Sequence, residues 1–145
     1  AKVIAQYSYV PLLDLTDFYE QVFFCWLVGN NDMHLKNFSL YAPKGKWFLT
    51  PAYDLLNVSM VNPKDTEEMA LTLNGRKKRI TKSDFVSAMT LSGIASKVFD
   101  NMLEKYRKLL PKFHSMIDMS FLDDECKETY KQGITSRLER ISNQK

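Results

Sequence analysis

Glycine is scarce in this 145-residue chain. There are five, at Gly29, Gly45, Gly75, Gly93 and Gly133, and no two are close. That spacing excludes a Gly-x-Gly-x-x-Gly loop and a Walker loop, the usual cradles for nucleotide phosphates. Cysteine is sparser still. Cys25 and Cys126 make no spaced framework, and Cys25, between Phe24 and Trp26, reads as a buried reduced thiol. The two histidines, His34 and His114, lie far apart and away from any cysteine pair, which argues against zinc. No apolar run approaches the roughly 20 residues that span a bilayer. No secretory signal opens the chain, so the Asn-x-Ser triplets at Asn37 and Asn57 read as chance matches. A cytoplasmic location without membrane contact is expected.

What is present is an ordinary globular composition, 45% hydrophobic and 26% charged, with a net charge of +3. One domain over 1–145 is expected, with no internal linker. The mild positive charge allows a phosphate-rich ligand without requiring nucleic acid. Residues Ala1 to Pro11 lack periodicity and read as an extended lead-in. Leu15, Phe18, Val22 and Trp26 then recur every three or four positions, the pattern of a helix capped by Asp14 or Thr16. Its aromatic residues read as core. Phe38 to Tyr41 and Trp47 to Thr50 predict two short strands, turned by Lys44-Gly45-Lys46.

A polar loop is expected from about Asn57 to Glu68. Met69 to Leu73, Asn74-Gly75 and Arg76 to Ile80 predict a second hairpin. Its basic run Arg76-Lys77-Lys78-Arg79 reads as a solvated strand edge; contact with nucleic acid or an acidic partner is the alternative. Thr81 with Asp84 predicts a capped helix. Ile94 to Leu109 predicts a longer one that Pro111 ends or kinks. Ser120 with Asp123 predicts the start of a last helix reaching about Ile141. The sum is a mainly α domain with two small β-hairpins.

The chemistry concentrates in Asn31-Asp32-Met33-His34-Leu35-Lys36-Asn37, followed beyond the first hairpin by Thr50-Pro51-Ala52-Tyr53-Asp54. A phosphoryl-transfer loop uses an Asp to orient the attacking hydroxyl, an Asn five positions later and a further Asp to hold metal ions. Asp32, Asn37 and Asp54 match in type, order and spacing. Asp32 would take or orient the acceptor proton. Asn37 and Asp54 would offer hard oxygen ligands to Mg2+ bridging the phosphates of ATP. Lys36 would neutralise charge on the transferring group, and His34 would bond the loop or a phosphate. An antiparallel hairpin between Asn37 and Asp54 would return the chain to its start and bring the two together. Taken singly, Asp, Asn and Lys suit any surface loop, His34 suits a structural role, and Asp54 suits a cap for a helix from Leu55.

Gly29 to Leu40 resembles the catalytic loop of HipA-type serine/threonine kinases, and Leu49-Thr50-Pro51-Ala52-Tyr53-Asp54-Leu55-Leu56 resembles their metal-binding motif. The Leu71 to Gly75 turn, the basic residues after it and the later helices are compatible with the same family, from about Leu12 onward. The resemblance implies a helical C-terminal lobe of a protein-kinase-like fold related to the phosphatidylinositol kinases. It implies ATP and Mg2+ as cofactors. It makes Asp32 the catalytic Asp, Asn37 and Asp54 the metal ligands, and His34 and Lys36 supporting residues. Such kinases are toxins of bacterial toxin–antitoxin pairs. They phosphorylate a serine of a protein, in known cases an aminoacyl-tRNA synthetase, and a DNA-binding antitoxin restrains them; the outcome is dormancy, or persistence.

The missing glycine-rich loop and lysine strand belong to an N-terminal nucleotide lobe. These residues are therefore expected to be inactive on their own. Two other readings compete: a non-enzymatic module that binds an antitoxin or repressor, and a small-molecule kinase of the aminoglycoside phosphotransferase type.

Overall fold

The computed structural model describes residues 1–61 and 66–143. Its elements, in chain order, are α1 (Lys2–Tyr7), α2 (Pro11–Val28), β1 (Leu40–Tyr41), β2 (Phe48–Leu49), α3 (Val58–Val61), α4 (Lys82–Leu91), α5 (Ser96–Asp118) and α6 (Asp124–Ser142). The mainly α expectation holds.

The core forms around α2. Phe23 is fully buried, and its ring meets Trp26, Phe85, Phe99 and Tyr106 with centroids 5.9, 5.4, 5.3 and 5.2 Å away. Three of these five rings, the phenylalanines, have no polar edge to satisfy, and each stabilises by roughly 2–3 kcal/mol on burial. The two polar handles are satisfied: Trp26 Nε1 donates to Glu68 at 2.9 Å and Tyr106 Oη to Glu20 at 3.3 Å. From the far end of the chain, Ile134, Leu138 and Ile141 of α6 complete the core.

Several boundaries differ from the sequence expectation, each for a local reason. The lead-in is helical over Lys2–Tyr7 rather than extended, because burial of Ile4 against the core outweighs the absent periodicity. α2 starts at Pro11, whose missing N–H suits a first helical position. Neither Asp14 nor Thr16 caps it. Asp14 is buried inside the first turn, and its Oδ2 accepts from Ser8 Oγ at 2.6 Å and from Leu49 N at 2.8 Å, which ties β2 to α2.

The first hairpin forms as expected, antiparallel, with Leu40 opposite Leu49 and Tyr41 opposite Phe48, though each strand is only two residues long. The second is not a pair of strands. Asn74 and Gly75 both have positive φ, as an Asn-Gly turn requires, but only Leu73 and Arg76 are bridged. Arg79 also has positive φ, at 53°, and the Glu68 carboxylate takes the N–H groups of Arg79 and Ile80 that a strand would pair. The basic run is therefore not a strand edge. Lys77 pairs with Glu67, Lys78 donates to Thr66, and Arg76 lies 3.7 Å from Asp84.

Thr81 and Asp84 form the expected reciprocal cap of α4. α5 runs through Pro111 to Asp118 without ending there, and begins after Ile94. Asp123, not Ser120, caps α6, its Oδ1 accepting from Cys126 N at 2.7 Å. The expected Asn57 to Glu68 loop contains α3, and its residues 62–65 lie outside the described residues. No helix of the described residues is long and apolar enough to cross a membrane.

Candidate active site

α2 stops at Gly29, whose φ of 82° is left-handed. A Cβ there would stand 2.9 Å from Asn57 Oδ1 and Ser59 Oγ and 3.1 Å from Arg137 Nη1. The position thus needs glycine for both conformation and space. The loop that follows is pinned through its buried members. Asn30, only 3% exposed, donates its amide to the Asp54 carbonyl at 3.1 Å and to Cys25 Sγ at 3.8 Å. Asn31 donates to the Glu67 carbonyl at 3.2 Å, and Met33 enters the core. Asp32 and Lys36 alternate with these and face solvent. His34 is half-buried, and its Nδ1 has no hydrogen-bond partner among the described residues. A single 3-10 turn, Leu35–Asn37, then delivers the chain to the first hairpin.

The hairpin returns the chain as its spacing predicts. Thr50 N donates to Ser39 O at 3.0 Å, extending the pairing past β1. Asp54 comes back beside Asn37, whose Nδ2 donates to Asp54 Oδ2 at 2.5 Å. Asn37 is 4% exposed, and its Oδ1 accepts from His34 N at 3.0 Å. Asp54 has a φ of 56°, a left-handed conformation that costs a non-glycine residue roughly 1–2 kcal/mol. Bonds on either side hold it there. Tyr53 Oη donates to Lys36 O at 2.8 Å and shares a hydrogen with Ser39 Oγ at 2.6 Å. Asn30 holds the Asp54 carbonyl from the buried side. Asp54 does not cap a helix from Leu55. Asn57 has that role, accepting from Met60 N at 3.1 Å as α3 begins at Val58.

The structure therefore joins Asn37 with Asp54. Asp32, Lys36 and His34 share their loop, yet neither the Asp32 carboxylate nor the Lys36 ammonium bonds to that pair among the described residues. No group of three or more His, Cys, Asp and Glu side chains stands ready for a metal among the described residues, so a closed protein cage is absent. Mg2+ needs no such cage, since it takes one or two protein oxygens beside waters and phosphates. Asp54 and Asn37 supply that kind of donor set. Here the Asn37 nitrogen, not its oxygen, faces Asp54. An ion held by both oxygens would need the amide turned, releasing His34 N. Burial pushes the nearby Cys25 thiol up to about 12, against the pull of its Asn30 bond, so it stays protonated and unreactive at neutral pH. A cavity of about 530 Å³ lies on the inner side of the loop, lined by Asn30, Met33 and Leu35 but by none of Asp32, Asn37 and Asp54.

Asn30, Tyr53, Ser59 and Arg137 were not singled out by the sequence. Tyr53 carries a signal in hindsight, adjacency to Asp54. Arg137, 110 residues beyond Leu27 whose carbonyl it reaches, carries none.

A sequence model of the HipA-like C-terminal domain matches residues 1–116. This chain belongs to the HipA-like C-terminal domain family. The match starts before Leu12 and stops short of α6. Among curated relatives, the HipA-like domain is 27% identical over 105 residues to "Putative kinase Y4dM" of Sinorhizobium fredii, covering 71% of this chain and 25% of that protein. It is 38% identical over 60 residues to a Haemophilus influenzae protein named "Putative kinase", covering 41% of this chain and 18% of that protein. Among solved structures it shares the fold of HipA from Shewanella oneidensis MR-1, in a complex with HipB and operator DNA. There the TM-score is 0.82 at 22% identity, over 97% of this chain and 34% of that one. The HipA-like domain thus spans 18–34% of the length of these relatives.

Proposed function

We propose that this HipA-like domain is the catalytic-loop part of an ATP-dependent kinase, working within a longer polypeptide. The observation that carries this reading is the Asn37–Asp54 contact, made across a hairpin, with Asp32 exposed five positions before Asn37 on the same loop. Asp32 orients the acceptor hydroxyl. Asp54 and Asn37 hold Mg2+, which when bound neutralises the ATP phosphates. Lys36 is exposed on the same loop and offsets charge on the moving phosphoryl group, while His34 supports the loop or a phosphate. No glycine-rich phosphate loop lies in these 145 residues, so nucleotide binding depends on a further lobe and the isolated domain is inactive. The acceptor is a serine or threonine of a protein, in keeping with the HipA-like family. By the example of the Shewanella HipA complex, a DNA-binding antitoxin of the HipB kind is its partner. Toxin action in the cytoplasm, with persistence as its outcome, follows from that pairing.

The test is phosphoryl transfer from labelled ATP and Mg2+ into bacterial lysate, using the longest natural polypeptide that contains this domain. Labelling should be lost in Asp32→Ala and Asp54→Ala. Absence of labelling from the wild-type protein would overturn the reading in favour of a binding module.

A further inference from the structure

α6 lies wholly beyond residue 116, where the family match ends, yet one of its side chains reaches the base of the site. Arg137 donates through Nη1 to Leu27 O at 3.4 Å and through Nη2 to Ser59 Oγ at 3.2 Å. Ser59 in turn gives both its N–H and its hydroxyl to Gly29 O, at 3.1 and 3.0 Å. Arg137 Nη1 also packs where a Gly29 Cβ would be. Gly29 opens the catalytic loop, and Asn30 beside it holds the Asp54 carbonyl. Ser59 closes the segment that starts at Asp54. One guanidinium therefore stands where both halves of the site are rooted.

Both of its hydrogen bonds end on neutral oxygens. The nearby Glu68 carboxylate is instead bonded by Arg140, at 3.0 and 2.8 Å. Holding a half-buried arginine on two neutral bonds is costly unless their geometry matters. The planar fork suits the task, since one group spans two oxygens on different segments.

We propose that Arg137 is a positioning residue for the metal-binding half of the site, acting through Ser59 and Gly29 on Asp54. This inference rests on the kinase reading above. It makes α6 part of the functional unit, although the family match does not include it.

The test uses the longest natural polypeptide containing this chain, with Mn2+ as the probe, its binding read by electron paramagnetic resonance. KM for Mg-ATP, kcat and thermal midpoint are measured alongside. Arg137→Met should weaken Mn2+ binding about tenfold, the low end of what outer-shell ligand supports contribute. Adding Ser59→Ala to it should change little more, because both act on one path. Arg140→Met, on the same helix, loses the paired bonds to Glu68 and should lower the midpoint while leaving Mn2+ affinity at the wild-type level. Arg137→Lys keeps the charge without the fork and should fall between. If Arg137→Met does not fold, Ser59→Ala alone decides, with weakened Mn2+ binding expected at a midpoint no lower than that of Arg140→Met. The proposal is overturned if the Arg137 and Ser59 variants lose stability yet bind Mn2+ as wild type does. Asp54→Asn separates the two layers. Unchanged Mn2+ binding there removes the metal reading itself, whereas binding lost in Asp54→Asn but kept in Arg137→Met removes only the role of Arg137.

Discussion

Tyr53 shows how much one hydroxyl can hold. Its Oη meets Lys36 O and Ser39 Oγ, and these bonds tie the two motifs together on the solvent side. Tyr53→Phe should lower stability by about 1 kcal/mol, read from urea unfolding, and, on the proposed kinase reading, should lower phosphoryl transfer by the longer polypeptide more than that loss of folded protein explains. Gly29 is less forgiving. Gly29→Ala places a Cβ against Asn57, Ser59 and Arg137 at a left-handed φ and should cost about 2–3 kcal/mol in the same assay. Cys25 gives a test by chemistry. With its thiol pushed up to about 12 and the side chain buried, it should resist iodoacetamide at pH 8 in the native protein and react only after denaturation. Mass mapping of the label checks this. At this scale the Asn37–Asp54 pair was legible, because acids and amides at a regular spacing are visible in a string. It hid the supports, because Asn30 and Tyr53 do their work through bonds to residues 24 and 14–17 positions away.

At the scale of elements, the misreadings share a cause. The second hairpin was predicted from a correct turn, and the turn is there. What prevented strands was Glu68, an acid from outside the pattern whose carboxylate caps the Arg79 and Ile80 N–H groups. The same carboxylate takes Arg140 and Trp26, so it joins α6, α2 and the basic turn. Burial alone would raise its pKa. Bonds from Arg140, Trp26 and Ile80 N–H outweigh burial and hold it below the ordinary glutamate value of 4.5. A pKa depressed on folding contributes stability above the unfolded value, and that contribution is lost as pH falls through the folded value. Glu68→Gln should therefore destabilise the protein at pH 7, and the gap from wild type should narrow as pH falls below about 4.5. Urea midpoints at pH 7 and pH 3 would show it. α1 was missed for a related reason: six residues are too short for a period to register, and it is Ile4 packing on the core that makes the helix.

For the whole molecule, the four long helices α2, α4, α5 and α6, their order and the first hairpin were legible, since periodicity and caps are local. The joining of Asn37 to Asp54 was legible too, because a hairpin has only one simple way to return. The dependence on α6 was not, because Ile134, Leu138 and Ile141 close the core at long range. Deleting residues 124–145 should leave helical circular dichroism but abolish a cooperative thermal transition, although the family match ends at residue 116.

The Arg137 bonds to Leu27 and Ser59 also have a direction in time. A ribosome makes the chain from its N-terminal end, at roughly 5–20 residues each second. Every residue from Gly29 to Leu56 leaves the exit tunnel before Arg137 is synthesised. For several seconds the nascent chain holds Asp32, Asn37 and Asp54 without the Arg137 bonds. The loop and the segment after the hairpin would thereby gain their shared support only after Arg137 has been made and α6 has packed in place.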